Sequence, residues 1–354
     1  MNPLANSFIT MHTKSFFLSG LCLALALVGA RAQIPNASQQ VDTVQQRRQL
    51  ESSARFLAGS NAVPEFYEGE TSDVGPQSVL QLKRHRTLLE AFADEQYFFT
   101  DNVFLADHRK PGADVLVSTV QAALAPTPYE FAGGLLAPRL GYQHQWFNYG
   151  LASSDTVHVY PSFKYVGLNT FDFNVSTVLC DVAWRWQNWV FTLGCDYRRL
   201  LDSGDYNEFY REYVPRWSVR REFFLNESIA FSIAYEGDYR VTKASPPAAV
   251  LPSSPRYSND FNDRTDHSLV LSGSWRLCRY AILQPFYRCQ FTHYTRIDRT
   301  DLLNSFGLAL SCPITKQITL RTFVGYDTQT TDGFYVQNYQ KLDAGAGLNL
   351  TVRL

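Results

Sequence analysis

Residues 342–354 read LDAGAGLNLTVRL. Leu342, Ala344, Ala346, Leu348, Leu350, Val352 and Leu354 are apolar, whereas Asp343, Gly345, Gly347, Asn349, Thr351 and Arg353 are small or polar. Strict period-two alternation puts the two sets on opposite faces of one strand. The run is longer than the common globular strand and fits the tilted crossing of a bilayer by a β-strand. It therefore reads as the closing strand of a transmembrane β-barrel.

The other end of the chain carries an export pattern. Residues 11–14 (MHTK) form a short basic start, 16–28 an apolar run, and Ala30-Arg31-Ala32 an A-x-A cleavage pattern before Gln33. The apolar run is too short to span a bilayer, so residues 1–32 are expected to be a secretory signal peptide cleaved near Ala32. Elsewhere no stretch is long and apolar enough for a spanning helix. Aromatic content is 14 %, with 25 Phe and 20 Tyr, and charged content is 18 % with a net charge of -1. That balance offers no electrostatic case for nucleic-acid binding.

Residues 33–87 differ in composition from the rest of the mature chain. The stretch 39–57 (QQVDTVQQRRQLESSARFL) is rich in Gln, Arg and Ser with sparse apolar positions, and 63–86 carries Pro64, Gly69, Gly75 and Pro76. Such composition suits a periplasmic segment, partly helical or disordered. A plug or a partner contact is the functional reading, and a flexible leader is the expectation.

From residue 88 to 354 the chain divides into twelve candidate strands: 88–100, 114–125, 136–149, 171–186, 189–201, 208–220, 228–243, 265–276, 280–295, 301–311, 318–328 and 339–354. The seventh is the clearest, because Ile229, Phe231, Ile233, Tyr235, Tyr239 and Val241 alternate with Ser228, Ser232, Glu236, Asp238, Arg240 and Thr242. The odd connections, 102–113, 150–170, 202–207, 244–264 and 329–338, are mostly long, and the even ones mostly tight, at 187–188, 277–279 and 312–317 with 126–134 the longest. Outer-membrane barrels alternate in this way, with long loops outside and short turns in the periplasm. Trp184, Trp186 and Trp189 flank one tight turn, and Trp217 and Trp275 lie a few residues before two others, as an aromatic girdle at one membrane level requires.

On this pattern the chain resembles bacterial outer-membrane β-barrel proteins of the porin-like kind. The resemblance spans 88–354 plus the signal peptide and rests on architecture rather than a family motif. It implies an all-β, antiparallel up-and-down barrel of about twelve strands in the outer membrane, in contact with outer-membrane lipid and inserted by the barrel-assembly machinery. One departure is Leu354, since such barrels usually end in an aromatic residue.

Alternation assigns the inner face. Arg139, Arg185, Arg198, Arg216, Glu236, Asp238, Arg240, Arg276, Arg288, Arg321, Asp343 and Arg353 are the lumen-lining candidates. A polar, Arg-rich interior suits a porin-like channel passing small polar or anionic solutes. An ion-paired filling that closes a non-conducting barrel is the alternative, with the loops 150–170 and 244–264 free to bind a partner.

No cofactor or metal motif stands out. The stretch 141–148 (GYQHQWFN) is similar to the His-x-Ser-Asn-Gly segment of outer-membrane phospholipase A, but Trp146 stands where the nucleophile would be. No enzyme is expected, because His144 then lacks a hydroxyl to deprotonate. If 187–188 is a two-residue turn, Cys180 and Cys195 face each other on the lipid side. Two reduced small residues are the expected state, with a disulfide as the alternative.

Overall fold

Bilayer hydrocarbon offers backbone N–H and C=O groups no partners, so alternating segments are stable there only when every ladder is paired. The computed structural model of the chain meets that demand. It describes residues 37–48, 88–107, 110–151, 156–159, 164–244, 262–278, 280–315, 317–333 and 338–354. The expected signal peptide and most of the segment 33–87 lie outside the described residues.

Twelve strands form the barrel: β1 (Leu89–Thr100), β2 (Ala113–Leu124), β3 (Gly134–Tyr149), β4 (Phe173–Trp186), β5 (Trp189–Asp202), β6 (Glu208–Phe224), β7 (Ile229–Ala244), β8 (Arg264–Cys278), β9 (Ala281–Tyr294), β10 (Thr300–Pro313), β11 (Ile318–Thr331) and β12 (Tyr339–Arg353). Each pairs antiparallel with its sequence neighbours, and β1 pairs with β12 from Glu90↔Arg353 to Thr100↔Asp343. The sheet is thereby closed. Closure removes the free edge that an open sheet exposes.

Strand positions follow the sequence pattern closely, with one informative difference. β6 runs to Phe224 where the expected strand ends at Arg220, and so takes in the charged run Arg220-Arg221-Glu222. In the barrel its members part to opposite faces. Glu222 turns inward to Arg185 at 3.6 Å, and the Arg221 guanidinium lies 5.0 Å from the Trp189 ring on the outside.

The long connection between β3 and β4 carries a small hairpin, Thr156–Val159 with Lys164–Gly167, and a 3-10 turn, Leu168–Phe171. On the other side, Tyr129–Phe131 folds back onto β3 through Ala132 and Gly133, both at positive φ. Gln187, also at positive φ, makes the β4–β5 turn, and the register sets Cys180 opposite Cys195. All five described cysteines are free.

The apolar row of each strand faces outward, uncovered by protein. Leu193 is 70 % exposed and Phe306 and Leu348 are each 49 % exposed, the reverse of a soluble fold. Next to β12, Leu89 belongs to this row. Phe92 does not: it shares the inner face with the buried Asp94, Gln96 and Phe98. Near the β4–β5 turn Trp184 stacks on Trp186 and Phe191, whereas Trp217, expected near a turn, lies in the middle of the longer β6, over Gly237. A Cβ at 237 would come within 2.6 Å of that indole, so only glycine fits.

Leu193→Arg sets a charge in the lipid row of β5. It is expected to cost about 2–4 kcal/mol of folding free energy in bilayers, read by reversible urea unfolding in vesicles.

Candidate functional site

The lumen is occupied. Residues 37–48 form a helix, α1, inside the barrel. Ala37, Val41 and Val44 recur at helical spacing, and Val41 and Val44 are fully buried within an apolar cluster that includes Phe98, Val115, Phe147, Tyr149 and Phe323. A helix this short is marginal alone in water, so the barrel wall supplies its stability. For these residues the flexible periplasmic leader gives way to a lumenal helix. Sparse apolar spacing suggested a leader, because most of the helix's partners are polar side chains on distant strands.

Its first turn sits at the level of the long connections. The Gln40 amide donates to the Val103 carbonyl at 3.0 Å and accepts from the Tyr149 hydroxyl, and Gln39 donates to Gln329 at 3.0 Å. The last turn reaches deeper. Arg47 pairs with Asp343 of β12, and its guanidinium lies between the Phe98 and Phe323 rings at 4.8 and 4.4 Å. Arg48 pairs with Asp94 of β1 at 3.1 Å and donates to Thr119.

Asp42 is the electrostatic centre of this arrangement. Its carboxylate lies 3.0 Å from Arg198, 2.8 Å from Arg240 and 3.8 Å from Arg264. The three arginine side chains are almost completely buried, at 3, 5 and 4 % exposure, so their charges require compensation. Glu212 and Asp266 supply the rest: Arg198 meets Glu212 at 2.5 Å, and Arg240 meets Asp266 at 2.9 Å and Asp238 at 3.0 Å. Gln45 and Gln46 of α1 accept from Arg198 and Arg288 at 2.9 and 3.2 Å.

The half of the lumen nearer the tight turns is different. There Arg139 pairs with Glu90 at 3.0 Å, Arg216 with Asp181 and Asp196 at 3.3 and 3.1 Å, and Arg185 with Glu222. These side chains keep 34, 28 and 32 % of their surface exposed. The contrast divides the barrel into a solvated vestibule and a helix-filled outer half.

The remaining candidates fall into the same scheme. Arg288 donates to Ser268 beside α1, and Arg321, 1 % exposed, reaches Asp94 at 3.3 Å. Asp343 holds Arg47 and Lys341, and Arg353 meets Glu90 at the vestibule mouth. Glu236 sits in register between Ser218 and Ser268, and Arg276 lies on β8 opposite Ile282.

Acids absent from the sequence-based set complete the network. Glu212, Asp94 and Asp266 share the inward parity of Arg216, Gln96 and Arg276 on their strands, so alternation had the information to find them. Asp42 carried no such signal, because its role depends on a helix entering a barrel.

On the outer face one expectation is corrected. His144 does have a hydroxyl partner: its Nδ1 is 3.0 Å from Ser176 Oγ, which also accepts from the Tyr142 hydroxyl at 3.1 Å. Ser176 is directly opposite on β4, a neighbour that local sequence spacing does not reveal. Among the described residues no carboxylate or amide orients the other ring nitrogen, so the pair lacks the third member of a hydrolase triad.

No protein-family model matches the chain, and no curated protein matches it. Among solved structures, the β domain of the Bordetella autotransporter BrkA is similar at 14 % identity and TM-score 0.43, over 75 % of this chain and 100 % of that one. An outer-membrane channel from Pseudomonas putida F1 is similar at 10 % identity and TM-score 0.45, over 80 and 99 % of the two chains. The NanC porin is similar at 11 % identity and TM-score 0.38, over 73 and 98 %.

Asp42→Asn removes one charge from the three-arginine cradle while keeping its shape. Breaking a buried pair in this way costs about 3–5 kcal/mol, so amides 37–48 are expected to exchange hydrogen far faster than the strands, read by mass spectrometry. Unchanged protection would remove Asp42 as the anchor.

Proposed function

We propose that the protein is an outer-membrane channel for small polar or anionic solutes, closed at rest by α1, with no enzymatic activity. The observation that carries this reading is the seat of Asp42. Three buried guanidiniums converge on one carboxylate that is attached to the wall only through a non-covalently held helix. A cradle that holds the helix's carboxylate has the chemistry to hold a solute's carboxylate in its place.

Departure of α1 would leave Arg198, Arg240 and Arg264 facing the opened outer half, in line with Arg139, Arg185 and Arg216 in the vestibule. A track of arginines balanced by wall acids favours anions weakly rather than trapping them, which suits passage. Arg288 and Arg321 lie where the helix now stands and would line the opened path.

A second reading is a permanently filled, non-conducting barrel that binds a partner through its outer loops. Complete burial of Val41 and Val44 favours it, since expelling α1 exposes that apolar surface.

Planar bilayers separate the two. The wild-type chain is expected to conduct rarely, and Asp42→Lys, which sets a cation against three arginines, to raise the open fraction several-fold. Silence of both proteins at every voltage would sink the channel. Once current flows, Arg288→Gln with Arg321→Gln is expected to shift the reversal potential toward cation selectivity, and an unchanged value removes these residues from the path.

A further inference from the structure

The lumen accounts for the inward charges but not for a row of outward ones. In the cross-strand register His144 of β3 faces Ser176 of β4, Ser176 faces Arg199 of β5, Arg199 faces Arg211 of β6, and Arg211 faces Lys243 of β7. Directly opposed residues share a face, so these five side chains form one continuous polar row on the outside of the barrel. Four strand spacings of about 4.8 Å make it roughly 19 Å long.

Its depth is marked by aromatic residues. Two residues closer to the barrel's middle on β5 and β6, Tyr197 and Tyr213 face each other and stack at 4.7 Å between ring centres. Such rings settle at the boundary between hydrocarbon and headgroups. Arg199 and Arg211 project beyond that boundary, at the end of the barrel where the flanking strands β4 and β7 meet the long connections 150–172 and 245–263, which places them at the headgroups of the outer leaflet.

Among the described residues one acid offsets the row. Glu208 lies 2.5 Å from Arg199 and 3.6 Å from Arg211, and bridges the two guanidiniums. Both remain substantially open, at 44 and 34 % side-chain exposure, and Lys243 is exposed. Three cations against one carboxylate leave an excess positive charge at a level where cations are drawn to anionic headgroups.

We infer that Arg199, Arg211 and Lys243 bind the phosphate groups of a phosphorylated glycolipid of the outer leaflet. Its acyl chains lie along the Tyr197–Tyr213 pair, and its sugar hydroxyls meet Ser176 and His144. Guanidinium forks match phosphate oxygens geometrically, which is why arginine rather than lysine supplies two of the three charges. The inference rests on the membrane orientation of the barrel and not on conduction, so a silent channel leaves it untouched.

The test uses full-length protein in neutral detergent, titrated with bisphosphorylated lipid A and with its dephosphorylated form, bound lipid being counted by native mass spectrometry. The phosphorylated lipid is expected to bind more tightly, and the combined variant Arg199→Gln, Arg211→Gln and Lys243→Gln to lose about tenfold or more in its affinity. A control at the opposite rim, Arg221→Gln, is expected to bind as wild type, and inorganic phosphate is expected to leave the lipid in place. A smaller loss, an equal loss in the control, indifference to the lipid's phosphates, or displacement by inorganic phosphate overturns the assignment. Should the triple variant fail to fold, Lys243→Gln alone carries the test, with a loss of about threefold or more expected and no loss overturning it.

Discussion

Everything in this molecule depends on the hydrogen-bonded seam between β1 and β12. A strand in hydrocarbon whose N–H and C=O groups face lipid on one edge is prohibitively unstable, since each unsatisfied group costs several kcal/mol. The register Glu90↔Arg353 to Thr100↔Asp343 removes that edge, and Leu354 adds to it by accepting from the amides of Leu88 and Leu89 at 2.8 and 3.0 Å. Closure separates an apolar outside from a polar inside. The charged groups can then be buried without touching lipid.

Burial inside the barrel obeys a different rule from burial in a soluble core. The lumen is filled by guanidiniums and carboxylates, and a buried ion pair contributes little net stability over a well-packed apolar core. Its value lies in being costly to break one partner at a time. Arg198, Arg240 and Arg264 each depend on acids from several strands and from α1, so the helix fits in one position rather than sliding along the barrel.

The barrel was legible in the sequence because its determinants are local and periodic. Alternation, turn chemistry and the placement of Trp at tight turns fix twelve strands within a few residues, and even the facing of Cys180 and Cys195 followed from one two-residue turn. The inward parity of Arg198, Arg240 and Arg321 was equally plain. A partly helical segment was expected there too, but its seat in the lumen was not legible, because 37–48 is amphipathic only toward partners that lie far away in the chain: Ser38 meets Glu212, and Gln46 meets Arg288. The same limit hid Ser176 from His144. Contacts set by strand register can be worked out only once every connection is known.

The two arginines at the end of α1 have a mechanical consequence. Arg48 holds Asp94 on β1, and Arg47 holds Asp343 on β12, so the helix is pinned to both sides of the barrel's own closure. Arg321 of β11 adds a third tie across the same line by reaching Asp94. The plug is thus also a rivet: occupancy of the pore and integrity of the wall are mechanically coupled. Any force or ligand that lifts the helix loosens the one ladder in the barrel that joins the first strand to the last, and a wall under lateral strain in turn weakens its grip on the helix.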